Sequence, residues 1–223
     1  MTRDANLKVR VKSAKGRKLS STRWLERQLN DPYVREANRL GYRSRAAFKI
    51  LEIDEKFKIF KPGQCILDLG AAPGGWSQVV ANIVNDKSNS GQVLAIDILP
   101  IDALSGVKSM KLDINAENAI NLIKGEMIKP RADVILSDMA PSTTGHKATD
   151  HLRIVALLES ALDIVDNLLS DGGTFIGKVF RGGTENQILN RMKRDFQLVK
   201  HIKPQSSRSN SSELYVAGIN YRK

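Results

Sequence analysis

Asp68-Leu69-Gly70-Ala71-Ala72-Pro73-Gly74-Gly75-Trp76 closes the apolar run Cys65-Ile66-Leu67-Asp68-Leu69 and leads through small residues into an amphipathic stretch. A short apolar run, a glycine-rich turn and a helix form the first half of a βαβ unit, in which glycines allow a tight turn and close backbone approach to a ligand. The spacing is not G-x-G-x-x-G, because Ala72 holds the second glycine position and Pro73 follows. That departure favours adenosyl-methionine over a dinucleotide, since no pyrophosphate has to be cradled at the helix N-terminus.

The same texture continues downstream. The pattern predicts a helix over 74–85, a strand in Gln92-Val-Leu-Ala-Ile-Asp97, a strand near 107–112 and a helix around 116–127. Further on come a strand in Ala132–Asp138, a long helix over 149–169, a strand in Thr174–Phe180, a helix near 185–194, and strands near 197–202 and 213–221. Strands alternating with amphipathic helices specify an α/β chain with a largely parallel sheet. Pro204 to Ser212, rich in serine, reads as a loop between the last two strands.

Upstream the composition differs. Of the net charge of +11, +10 falls within residues 1–61. Residues 1–19 carry Lys8, Arg10, Lys12, Lys15, Arg17 and Lys18 without hydrophobic periodicity and read as a basic flexible arm. Residues 20–223 read as one domain that includes N-terminal helices over 20–61. Ser20 or Ser21 is expected to cap a helix through Leu29, Asp31-Pro32 to start a second, and Ser44 to cap a third. Trp24, Phe48 and Phe57, at helical spacing, are expected in the core rather than as base-stacking platforms. A basic N-terminal region beside a nearly neutral body is the footprint of a polyanion binder, because each neutralised phosphate releases counterions. Arg35, Arg39, Arg43, Arg45 and Lys56 form a cluster suited to phosphates, with Arg208 adding to it from the 204–212 loop.

With 41% hydrophobic and 26% charged residues the chain fits a soluble domain. No apolar run reaches the ~20 residues of a membrane span, and the N-terminus carries no signal-peptide core, so a cytoplasmic protein is expected. The lone Cys65 and three scattered histidines offer neither a disulfide framework nor a metal site.

Acidic residues end successive strands. Asp97 is placed to accept hydrogen bonds from ribose hydroxyls, Asp113 ends the next strand near an adenine, and Asp138 faces a substrate, since ligands of open α/β sheets bind at the carboxyl ends of the strands. Lys178 interrupts the apolar strand Thr174–Phe180, where a cation must find a partner. Gly172 to Lys178 also satisfies G-x-x-x-x-G-K, but Val179 stands where a P-loop needs Ser or Thr.

Taken together, SSTRWLERQLNDPYV from Ser20, GYRSRAAFKI from Gly41, DLGAAPGGWSQ from Asp68, SDMAP from Ser137, KVF from Lys178 and SSELYV from Ser211 resemble the bacterial FtsJ/RlmE family of heat-shock ribosomal RNA methyltransferases. The resemblance covers about nine tenths of the chain, leaving out the arm and residues 181–187. It implies a Rossmann-like, class I methyltransferase fold: a seven-stranded, mostly parallel sheet with an antiparallel last strand and helices on both faces. It implies S-adenosyl-L-methionine as cofactor, held at Gly74, Trp76, Asp97, Asp113 and Asp138, and a Lys-Asp-Lys-Glu tetrad at Lys49, Asp138, Lys178 and Glu213. The implied reaction is methylation of the 2′-oxygen of an A-loop uridine in 23S ribosomal RNA of the 50S subunit, by a monomer with no obligate protein partner. Related enzymes carry a similar tetrad on transfer RNA and messenger RNA caps, so the tetrad marks the chemistry more than the substrate. A dehydrogenase would need Tyr-x-x-x-Lys, absent here; a non-catalytic assembly factor would have no use for the tetrad.

Overall fold

The computed structural model describes residues 9–11, 16–86, 89–141, 144–180, 186–209 and 211–222. Lys8, Lys12 and Lys15 of the basic arm, and residues 181–185, lie outside them.

Three N-terminal helices, α1 (Leu19–Leu29), α2 (Pro32–Arg39) and α3 (Ala47–Phe57), precede the sheet. Besides a short two-stranded pair at 85–86 and 89–90, the main sheet has seven strands: β1 (Cys65–Leu69), β2 (Gln92–Asp97), β3 (Val107–Lys111), β4 (Ala132–Ser137), β5 (Leu169–Phe180), β6 (Phe196–Ile202) and β7 (Glu213–Tyr221). Between them run α4 (Gly75–Val84), α5 (Ala119–Glu126), α6 (Lys147–Leu168) and α7 (Asn186–Asp195). The strand order is β3-β2-β1-β4-β5-β7-β6. β1 to β5 pair in parallel, whereas β7 runs antiparallel between β5 and β6. The seven-stranded, mostly parallel sheet is therefore as the sequence implied.

β1 is buried along its whole length, as a central parallel strand covered on both faces must be. Alternation divides its side chains between two cores. Ile66 packs with Ile50, Ile53, Trp76 and Val80 on the α3/α4 face, while Leu67 and Leu69 pack with Ile123, Leu158 and Leu162 on the α5/α6 face. The strand order reverses between the parallel neighbours β1 and β4, whose adjacent carboxyl ends open the crevice in which this topology binds ligands.

Local capping differs from expectation. α1 begins at Leu19, after Lys18 in extended conformation, so positions 20 and 21 fall within the helix rather than at its cap. α3 begins at Ala47, three residues past Ser44, whose backbone carbonyl accepts the Ala47 N–H. Asp31 does cap α2, accepting from Tyr33 N at 3.1 Å with Pro32 in the first turn. Trp24 is 51% exposed and not in the core, whereas Phe48 meets the tilted ring of Tyr33 at 5.4 Å and Tyr42 edge-on at 5.7 Å. No described helix is long and apolar enough to cross a membrane.

Candidate active site

At the end of β1, Gly70 takes φ +73°, and a Cβ there would lie 2.5 Å from Met139 Cγ and 2.9 Å from its Cα, so only glycine lets the β1 and β4 ends approach. The closure is completed by Asp138 N–H donating to Leu69 O at 3.2 Å. Gly74, at φ +104°, starts α4. Asp97 ties this turn to β2, one carboxylate oxygen accepting Ala72 N–H at 2.9 Å and the other Leu99 N–H at 2.8 Å. Asp113 lies exposed just past β3 and accepts from Asn115 N at 2.9 Å. Both acids thus stand at neighbouring strand ends, as expected, and each keeps lone pairs for a ligand.

Gly70 to Pro73, Gly75, Trp76, Ser44, Asp68 and Asp138 line a narrow cleft of about 30 Å³. Trp76, 3% exposed, donates its indole N–H to Ala46 O at 2.8 Å and packs its ring 5.4 Å from Tyr215, so it anchors α4 to the entry of α3. Two polar atoms of this cleft are buried without a hydrogen-bond partner, Ser44 Oγ and Asp68 Oδ1. Buried orphans of this kind are rare in native proteins, and their usual resolution is a ligand or ordered water. A hydroxyl that can donate and a carboxylate that can accept suit the carboxylate and ammonium of an amino-acid tail, so the residues present fit adenosyl-methionine. Gly75 supports the same reading, because a Cβ there would collide with Ser44 Oγ. Ser44 and Asp68 were not among the sequence candidates: Ser44 read as a helix cap and Asp68 as part of a buried strand.

Asp68 is fully buried, and burial pushes its carboxyl up to about 7, the Ser77 hydroxyl at 2.6 Å opposing that rise and the charge of Asp138 adding to it. A carboxyl whose folded value lies above its unfolded one binds the extra proton in the native state, so stability falls as pH rises from about 4 to about 7. Asp68→Asn keeps an acceptor for Ser77 and removes this dependence. It is expected to raise the unfolding free energy from urea titration relative to the parent at pH 8, by of order a few kcal/mol, with a much smaller gain at pH 5. An equal change at both pH values would rule the assignment out.

Beside this cleft the tetrad assembles from four elements: Lys49 from α3, Asp138 from the end of β4, Lys178 from β5 and Glu213 from the start of β7. Lys178 Nζ lies 2.8 Å from both Asp138 Oδ1 and Asp138 O, and 3.9 Å from Glu213 Oε2. Lys49 Nζ lies 2.5 Å from Glu213 Oε1. The Lys178, Asp138 and Glu213 side chains are only 8, 18 and 15% exposed, so these are partly desolvated ion pairs. Burial alone would raise the Asp138 carboxyl, but the Lys178 and Lys49 ammonium groups and a hydrogen bond from Tyr215 outweigh it and hold the carboxyl below its ordinary value.

Tyr215 joins the cluster unforeseen. Its hydroxyl donates to Asp138 Oδ1 at 2.7 Å, accepts from Lys49 Nζ at 3.0 Å and lies 3.3 Å from Glu213 Oε1. Burial, then the Asp138 and Glu213 charges, push this phenol well above its ordinary value, so it is a permanent donor. Its position two residues after Glu213 on one strand puts both side chains on the same face, the one signal the sequence offered.

The phosphate cluster is partly spoken for. Arg43 donates to the carbonyls of Pro73, Asp102 and Ala103 at 3.2, 2.8 and 2.6 Å and so clamps the glycine turn. Arg45 pairs with Asp31 and with Ser206 O, and Arg208 reaches Asp31 at 3.3 Å. Glu52 accepts from Ser206 N at 3.1 Å, so the 204–212 loop is latched to the N-terminal helices. Arg45, Lys49, Arg208, Ser211 and Glu213 line a second cleft of about 130 Å³ beside the tetrad. A larger cavity of about 270 Å³ lies near the opposite strand ends, around Gln64, Asp133 and Gly173, and contains none of these groups.

Comparison with known proteins agrees with this geometry. Residues 42–221 match the FtsJ-like methyltransferase family. A protein of Paramagnetospirillum magneticum named ribosomal RNA large subunit methyltransferase E is 53% identical over 97% of this chain and 89% of its own length. One of the same name from Rickettsia akari is 51% identical over 95% of this chain and 94% of its own. Among solved structures, a provisionally named ribosomal RNA methyltransferase from Plasmodium falciparum superposes with a TM-score of 0.72 at 33% identity, covering 81% of this chain and 98% of that one.

Proposed function

Because this chain belongs to the FtsJ-like methyltransferase family, we propose that it transfers the methyl group of S-adenosyl-L-methionine to the ribose 2′-oxygen of a uridine. The acceptor is the A-loop of 23S ribosomal RNA in the 50S subunit, modified in the cytoplasm in support of late subunit assembly. The observation that carries the reading is the Lys49, Asp138, Lys178 and Glu213 cluster set beside a cleft with two orphaned polar atoms. The choice of ribosomal RNA is supported by the names of the relatives.

When bound, adenosyl-methionine supplies an electrophilic methyl on a positively charged sulfur. Gly74, Trp76, Asp97, Asp113 and Asp138 would hold it, with Ser44 and Asp68 added from the cleft. The chain's remaining task is to hold the acceptor hydroxyl in line with that methyl and to take its proton. Lys178 is the proton acceptor. The tetrad sets two lysines against two carboxylates in a largely desolvated site, and a lysine accepts a proton only as the free amine. Asp138 and Glu213 then fix the Lys178 amine against the acceptor hydroxyl, and Tyr215 fixes Asp138. Lys49, bonded to Glu213 and Tyr215, keeps a positive charge at the far end of the cluster.

The test is transfer of labelled methyl to purified 50S subunits lacking their native modifications, followed by nuclease mapping. A single 2′-O-methyluridine in the A-loop is expected. Label on transfer RNA but not on 50S would replace the substrate and keep the chemistry, whereas cofactor binding without any transfer would overturn the catalytic reading in favour of an assembly factor.

A further inference from the structure

We propose that the exposed face of α1, which contributes no residue to the tetrad or its two clefts, is a second RNA-contact surface, on which Trp24 stacks an unpaired base while neighbouring cations hold the flanking phosphates. The inference rests on the reading that the substrate is RNA. The two tryptophans of the chain have opposite surroundings: Trp76 is 3% exposed and hydrogen-bonded, while Trp24 is 51% exposed. The indole does not stand alone: Leu19 and Leu29 of the same helix and Val9 of the arm are 75, 44 and 47% exposed, so apolar surface is left in water along α1, with the flat indole face suited to stacking.

The surroundings of Trp24 identify the occupant. Arg17, Lys18, Arg23 and Arg27 are exposed along the same segment, and the one carboxylate among residues 16–29, Glu26, is half-buried. Arg27, three positions after Trp24, shares its side of the helix. An aromatic platform on a cation-rich segment whose one acid is half-buried matches single-stranded nucleic acid, whose bases stack on indoles and whose phosphates pair with guanidinium groups. A second copy of this chain would bring like charges together, which disfavours self-association through this face. The basic arm adds to the surface: Val9 exchanges hydrogen bonds with the Asn30 side chain at 2.8 and 2.9 Å, which brings residues 9–11, with exposed Arg10, back to the C-terminal end of α1.

Because Trp76 is enclosed, acrylamide quenching of the full-length protein reports chiefly on Trp24. A uridine-rich single-stranded 12-mer is expected to protect that emission, a duplex of equal length to protect it far less, and anionic phospholipid vesicles not at all. Trp24→Ala should raise KM for 50S subunits roughly tenfold, with kcat and adenosyl-methionine affinity unchanged, and Trp24→Phe should restore most of the loss. Replacing Arg23 and Arg27 by alanine should flatten the salt dependence of RNA binding. An unchanged KM in Trp24→Ala, no rescue by phenylalanine, or protection by vesicles instead of RNA would overturn the inference while methyl transfer to RNA continued. Absence of any transfer to RNA by the unmodified protein would sink the substrate reading and this inference with it.

Discussion

Lys178→Ala is expected to lower methyl transfer by at least about 10²- to 10⁴-fold, the range supplied by a positioned general base, while adenosyl-methionine binding stays within about twofold of the parent. The separation follows from geometry. Lys178 contacts Asp138 and faces Glu213, and it does not line the cleft formed by Gly70 to Trp76. Its removal leaves Asp138 still bonded by Tyr215 at 2.7 Å, so the fold and the cofactor groove survive. Lys178→Arg separates proton transfer from simple charge, because a guanidinium keeps the positive charge and cannot accept a proton at accessible pH. Both variants should be inactive in single-turnover assays with saturating cofactor and substrate, and both should bind cofactor by calorimetry. Substantial turnover by Lys178→Arg would remove Lys178 from the proton-accepting role and leave it an electrostatic one.

The parts of this site that could be read from the sequence are those encoded locally. Asp68 to Trp76 spells a strand end, a tight turn and a helix start within nine residues, and the acids at 97 and 138 each follow a short apolar run, while 113 follows the alternating stretch 107–112. Even β7 begins and ends where the sequence placed a strand, at Glu213 and Tyr221. What escaped is set by residues far apart in the chain. Ser44 has the local look of a helix cap, yet a turn delays α3 to Ala47 and the hydroxyl meets Gly75 instead. Tyr215 looks like any strand aromatic until β7 inserts beside β5 and brings its hydroxyl to Asp138, 77 positions away. Arg43 and Arg45 count as phosphate ligands in a charge tally, but their hydrogen bonds run to carbonyls and a carboxylate up to 161 positions away. Trp24 is the converse: helical spacing promised a core, while α1 packs on the outside of the domain with that position turned to solvent. Periodicity shows which residues share a face, and only the tertiary fold decides whether anything covers it.

Asp138→Ala is expected to be the most damaging single change in the cluster, for stability as well as activity. Among the described residues Asp138 carries the only carboxylate within 3 Å of Lys178 Nζ, since Glu213 stands 3.9 Å away. Removing one partner of a largely desolvated ion pair strands the other charge, a loss of about 3 kcal/mol or more. The Tyr215 hydroxyl loses its closest acceptor at the same time. Lys178→Met is milder, because its absence leaves Asp138 a hydrogen bond from Tyr215 and the nearby charge of Lys49. The two changes should therefore be strongly non-additive. Adding Lys178→Met to Asp138→Ala takes away the stranded ammonium, so the double variant should be more stable to urea than Asp138→Ala alone while remaining inactive. Additive losses in the double variant would mean that water or Glu213 already satisfies Lys178, and that the tetrad is held by packing around Tyr215 rather than by its charges.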